Sequence, residues 1–166
     1  MRGQSTGSGT TYAVKGEVSS ADGYGLYTPD DAKVDQTLEV GGDLQVSGTK
    51  NFVQTVDTTG GPKQVAYTAV EAGEPRTETT DVAEMDAGRA EIELPEHFEM
   101  VTSEEEPLSV QVTPYAKDQV HPQVVETSTE QIVVEDFGDG PQDYTFSYTV
   151  KGVREGFEDQ EIVRDP

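Results

Sequence analysis

The stretch KVDQTLEVGGDLQVSG, residues 33–48, repeats one six-residue phrase about three times and then stops. Val34, Val40 and Val46 fall six apart, and Leu38 and Leu44 stand two residues ahead of the second and third valine. Extended chain alternates its faces, so Leu38 and Val40 point one way, as do Leu44 and Val46. Glycines close the second and third copies, and glycine turns without a steric penalty. Each phrase is therefore predicted to be a very short strand followed by a corner. Alone it buries about two apolar side chains, against roughly 1–2 kcal/mol of conformational entropy lost for every residue ordered. Units of this kind need stacked neighbours, and three copies are too few for a self-sufficient solenoid. Two arrangements meet the need. Other chains supply the missing walls, with Val34, Leu38, Val40, Leu44 and Val46 as the oligomer interface, or Leu38–Val40 and Leu44–Val46 form a hairpin around Gly41-Gly42-Asp43.

The repeat sits in a glycine-rich half: eleven of the 17 glycines lie in residues 1–61. Gly3 to Thr10 reads as a flexible, solvated lead. Residues 12–18 are a candidate strand, and Tyr24, Leu26 and Tyr27 form an apolar cluster in turn-forming sequence. That cluster either anchors the arm to another protein or folds back on its own chain. From residue 51 the pattern changes to strands. Tyr144, Phe146, Tyr148 and Val150 alternate with polar residues, as do Leu108, Val110 and Val112. Further strands are predicted at 52–57, 64–71, 89–94, 123–127 and 130–135, with Thr59-Gly60-Gly61-Pro62, Asp86-Ala87-Gly88 and Asp136–Pro141 as turns. One short helical turn is expected around Pro95–Phe98. The chain is thus read as all-β: an extended arm and repeat neck over 1–50, then an antiparallel β-sandwich over 51–166.

Charge narrows the function. There are 33 acidic residues against 11 basic ones, a net of -22. Residues 1–50 carry 7 acids and 4 bases, and residues 51–166 carry 26 and 7. Such a surface repels phosphate backbones, which argues against nucleic-acid binding. The acids alternate with apolar residues, as in Arg89-Ala90-Glu91-Ile92-Glu93-Leu94, so they belong on the wet faces of strands. Repulsion of this size is screened at molar salt, where the Debye length is about 3 Å, and the surface reads as that of a halophilic protein. There is no cysteine, which removes disulfide scaffolds and thiol chemistry. No apolar run approaches a membrane span, and the first residues lack the apolar core of a signal peptide. Membrane insertion is not expected.

Candidate chemistry is thin. Glu104-Glu105-Glu106 and Asp30-Asp31 are carboxylate clusters of the type glycosidases use, which leaves a carbohydrate-active enzyme as a minor reading. An acid-rich chain holds such pairs by chance, and tryptophan, a common wall of sugar clefts, is absent. His97 and His121 each lack a partner histidine four residues on and read as turn residues. Asp136, Asp139 and Asp143 frame a glycine-rich turn that suits a weak Ca²⁺, Na⁺ or K⁺ site, without the spacing of an EF-hand loop. No catalytic residue, cofactor or structural metal is expected.

The run Gly42-Asp43-Leu44-Gln45-Val46-Ser47-Gly48-Thr49-Lys50-Asn51-Phe52 resembles the join in tail-fibre-like and surface-appendage proteins of phages and bacteria, where short repeats lead through T-K-N-F into a C-terminal β-domain. YTAVEAGEPRTE (67–78), AGRAEIELPEHFEMV (87–101) and YTVKGVREG (148–156) are similar, in the same order, to later segments of that domain. His97 stands where an aromatic residue is common there. With the acid excess, the resemblance implies a non-enzymatic subunit of a fibre, spike or turret on the virion surface of a haloarchaeal virus. It implies a homo-oligomer, most often a trimer, attached to other virion proteins through the arm. The loops Gly73–Thr80 and Asp136–Asp143 would be exposed toward a host surface glycoprotein or glycan. An adhesion module of an archaeal cell surface is the alternative expectation.

Overall fold

The computed structural model describes residues 14–20 and 22–163, and the chain divides into two units, Met1–Lys50 and Asn51–Pro166. The glycine lead, the first two residues of the strand expected at 12–18, and Ala21 lie outside the described residues.

Among the described residues of the first unit there is no strand and no helix, and every one of them is exposed. The strand expected over 12–18 does not form at 14–18, and the short strands of the repeat and the hairpin around Gly41–Asp43 do not form either. A strand is a ladder of hydrogen bonds, and legs of this length find no neighbouring edge in their own chain. The period itself is nevertheless present in the backbone. Bends fall at residues 29–30, 35–36, 41–42 and 47–48, six apart, with four residues of irregular chain between successive bends. The corner glycines do not work as expected: the described glycines with left-handed backbone are Gly61, Gly88 and Gly156, none of them in the repeat. A Cβ at Gly41, Gly42 or Gly48 would meet nothing within 4 Å. Inside a single chain these glycines are required neither by conformation nor by space.

The second unit is all-β and antiparallel. Strands β1 (Asn51–Thr58) and β2 (Gly61–Thr68) form a hairpin closed by Gly61, whose φ of 94° suits a tight turn. They pair along their full length, from Asn51 opposite Thr68 to Thr58 opposite Gly61. The remaining strands are β3 (Arg76–Met85), β4 (Arg89–Glu93), β5 (Ser109–Pro114), β6 (Pro122–Thr127), β7 (Gln131–Asp136) and β8 (Tyr144–Val153), with a single helical turn, α1 (Glu96–Glu99), between β4 and β5. They make two three-stranded sheets, β3-β8-β5 and β4-β7-β6. The two inner faces share one core: Met85, Phe146, Tyr148 and Val150 from one sheet, Ala90, Ile92, Ile132 and Val134 from the other, with Leu94 and Phe98 closing one end.

The alternation in the sequence explains this packing. In Arg89–Leu94 the residues are exposed and buried by turns, with Ala90, Ile92 and Leu94 inside. In β8, Phe146 and Val150 are fully buried. Val133 is buried on the outer face of β7, flanked across the ladder by Glu91 and Glu126, and a bulge at Val125 interrupts that pairing. One strand was not expected. β3 runs through Arg76–Met85, so the predicted loop over Gly73–Thr80 is a loop only as far as Pro75. Its sequence, RTETTDVAEM, lacks the apolar alternation of a half-buried strand, but ten residues of backbone pair with β8.

Candidate functional site

The registers sort the loops into two groups. Met85 lies opposite Tyr144, Pro114 opposite Phe146, Arg89 opposite Glu135 and Pro122 opposite Asp136. The β3–β4 turn, the β5–β6 loop (115–121) and the β7–β8 loop (137–143) therefore meet at one end of the two-sheet body. Arg76 lies opposite Val153, so the chain enters the body at the other end.

The loops at the first end are tied together through Asp136. Its carboxylate accepts hydrogen bonds from the backbone N–H of His121 at 3.1 and 3.2 Å, from the backbone N–H of Gly138 at 2.7 Å and from the Tyr144 hydroxyl at 2.6 Å. Burial pushes this carboxyl up, but the bonds from Tyr144, Gly138 and His121 together outweigh it and hold it below the ordinary carboxylate value. Burial, then the bond to Asp136, pushes the Tyr144 phenol well above its usual range. Asp143 accepts from the N–H of Ala87 at 3.0 Å, while Gly88 donates its N–H to the Gln142 carbonyl at 2.9 Å and its carbonyl accepts from the Asp136 N–H at 2.8 Å. Gly88 has φ 81°, and a side chain there would run into Gln142. The Gln142 amide donates in turn to the carbonyl of Gly138 at 3.1 Å. This end is a knitted platform, and it carries two exposed aromatic side chains, Tyr115 and Phe137.

Of the acids proposed for a weak cation site, Asp136 and Asp143 spend their oxygens on separate backbone and phenol donors. No group of three potential ligands stands together among the described residues. His121 donates its hydrogen bonds to this network through its backbone N–H, and His97 is exposed on α1. Glu104, Glu105 and Glu106 line a cleft of about 540 Å³ at the opposite end, with Glu130 and hydroxyl residues of the β6–β7 turn. A second cleft there, about 500 Å³, is lined by Glu99, Glu104, Glu105, Glu155 and Glu158. Thr102 and Ser103 beneath them are buried, and their hydroxyls are engaged by Thr77 and by the N–H of Glu105. Asp30 and Asp31 belong to the first unit.

In the first unit the interface candidates are all open to solvent, from 43% for Val46 to 66% for Leu38, with Val34, Val40 and Leu44 between. Tyr24, Leu26 and Tyr27 are more exposed still, and the two tyrosine rings stand 6.1 Å apart. Sequence reasoning missed Tyr115, and it offered the loop Asp136–Asp143 to a host surface without singling out Phe137 within it. Each follows a strand and precedes a polar loop, a placement that marks a strand end without saying whether the ring turns inward. Comparison of the chain with family models, curated proteins and solved structures gives no match.

Proposed function

We propose that this chain is a non-enzymatic structural subunit of a surface appendage, a fibre, spike or turret of a virus that infects a halophilic archaeon. It assembles as a homo-oligomer, with a trimer as the simplest closure for a short repeat neck. The carrying observation is the arm: bends recur every six residues while Val34, Leu38, Val40, Leu44 and Val46 all remain exposed. A segment that spends its apolar residues on water, with a regular corner but no ladder of its own, is built to be walled by other copies. The second unit is read as a β-sandwich head. Its chain enters at one end and its knitted loops lie at the other. The loop end then points away from the particle and offers Tyr115 and Phe137 to a host glycoprotein or glycan, and Tyr24, Leu26 and Tyr27 dock on other virion proteins.

Mass determination in molar NaCl tests the assembly. The expected result is an oligomer, and removal of residues 1–48 should lower the assembled fraction while leaving a soluble head. A full chain that stays monomeric at high concentration overturns the reading. Binding of the head to intact archaeal envelopes, lost when Tyr115 and Phe137 are both changed to Ser, tests the direction.

A further inference from the structure

We propose that the β1–β2 hairpin is a second self-association element, whose apolar face packs on the same element of another copy. The inference rests on the homo-oligomeric reading above and extends it past the neck. In the register of the hairpin, Phe52 lies opposite Tyr67, Gln54 opposite Val65 and Val56 opposite Lys63, so these six residues share one face. Phe52 is 62% and Tyr67 68% exposed. β1 and β2 pack on each other and on none of the other strands or the helix. An isolated two-stranded hairpin is marginal in water, and two cross-strand aromatic residues of roughly 150–250 Å² each face solvent. A regular eight-pair ladder with one apolar face calls for a cover.

Charge says what the cover is. Two copies of a chain with net charge -22 repel each other over most of their surface. Residues 69–166 hold 25 acids against 6 bases, whereas residues 44–70 hold one acid, Asp57, against Lys50 and Lys63. At 27 residues this is the longest stretch of the sequence with no more than one acid, ahead of residues 1–21 with Glu17 alone, and over it like copies can approach with little acid facing acid. It begins at Leu44 inside the repeat and runs without a break through β2. The neck interface and the hairpin face are thus continuous in the chain, and a second copy is the occupant that such neutrality in an acidic protein favours.

The test uses the full chain in molar NaCl. Phe52→Ser with Tyr67→Ser should raise the concentration for half-assembly at least tenfold and leave the melting of the two-sheet body unchanged, since the hairpin touches no other element. The chain has no cysteine, so a nitroxide can be placed at one position at a time. On Gln54→Cys, on the apolar face, it should be immobilised in the oligomer and mobile after dilution. On Thr55→Cys, on the opposite face, it should be mobile in both. Wild-type protein that never assembles defeats the parent reading. Wild-type protein that assembles, with unaltered assembly of the serine variant and dissociation by Leu38→Ser with Leu44→Ser, defeats the hairpin alone. A label at position 54 that is already immobile in the dissociated chain shows the face covered from within and overturns the proposal as well.

Discussion

Asp136 accepts four hydrogen-bond contacts from three donors, and it is the group on which the loop end depends most. Because its folded carboxyl lies below the unfolded value of 3.8, it adds stability that is fully present above that value and is lost as pH falls through the folded one. Tyr144 has the opposite sign. Its phenol is raised from 10.0, so its contribution is complete below pH 10 and is lost as pH rises toward the folded value. Tyr144→Phe should cost about 1.5 kcal/mol, the lower end for a hydrogen bond to a charged group at a half-exposed site, and should flatten the alkaline limb of a stability-versus-pH curve. Chemical denaturation at pH 7 and pH 10.5 measures both. At the other end of the same strand, a side chain on Gly152 would collide with Thr102 and Leu108. Gly152→Val should lose about 1–3 kcal/mol by overpacking, read from a urea midpoint. Neither dependence could be read from the sequence. From the sequence Asp136 reads as one acid of a turn suited to a cation, and nothing local says that two backbone N–H groups and a phenol converge on it.

At the scale of elements, legibility follows the side-chain pattern. β8 was plain because Tyr144, Phe146, Tyr148 and Val150 alternate with polar residues. β4 was plain because Ala90, Ile92 and Leu94 alternate with charges. β3 was invisible because its half-buried positions include Thr77 and Thr79, and its one valine, Val82, points outward and is 53% exposed. Its inner contacts are partly polar: the hydroxyls of Thr77 and Thr102 lie 2.7 Å apart, and Thr102 is 2% exposed. Thr77→Val should therefore cost about 1–3 kcal/mol despite conserving shape, because it strands a buried hydroxyl, and thermal unfolding of the variant checks it. The six-residue repeat shows the converse. Its period was legible and is present as bends, but the strands expected between the bends do not form in the single chain.

For the whole molecule, the distribution of charge sets the conditions of folding. Two carboxylates about 4 Å apart repel by about 1 kcal/mol even in bulk water, and several glutamates line each of the two clefts. The melting temperature should rise steadily between 0.1 and 2 M NaCl, as the Debye length shrinks from about 10 Å to under 3 Å. Replacing Glu104, Glu105 and Glu106 together by Gln should flatten that rise. The same antiparallel register has a mechanical consequence. A pull that holds the loop end and draws on the chain where it enters β3 acts on Arg76 in one direction and on Tyr144 in the other. β3 and β8 are then dragged lengthwise past each other, and ten residue pairs resist at once instead of opening one by one. Stretched between residue 72 and a tether in the 137–143 loop, the body should yield at a higher force than when pulled by its two chain ends. A body wired in this way resists hardest along the line from its chain entry to its loop end.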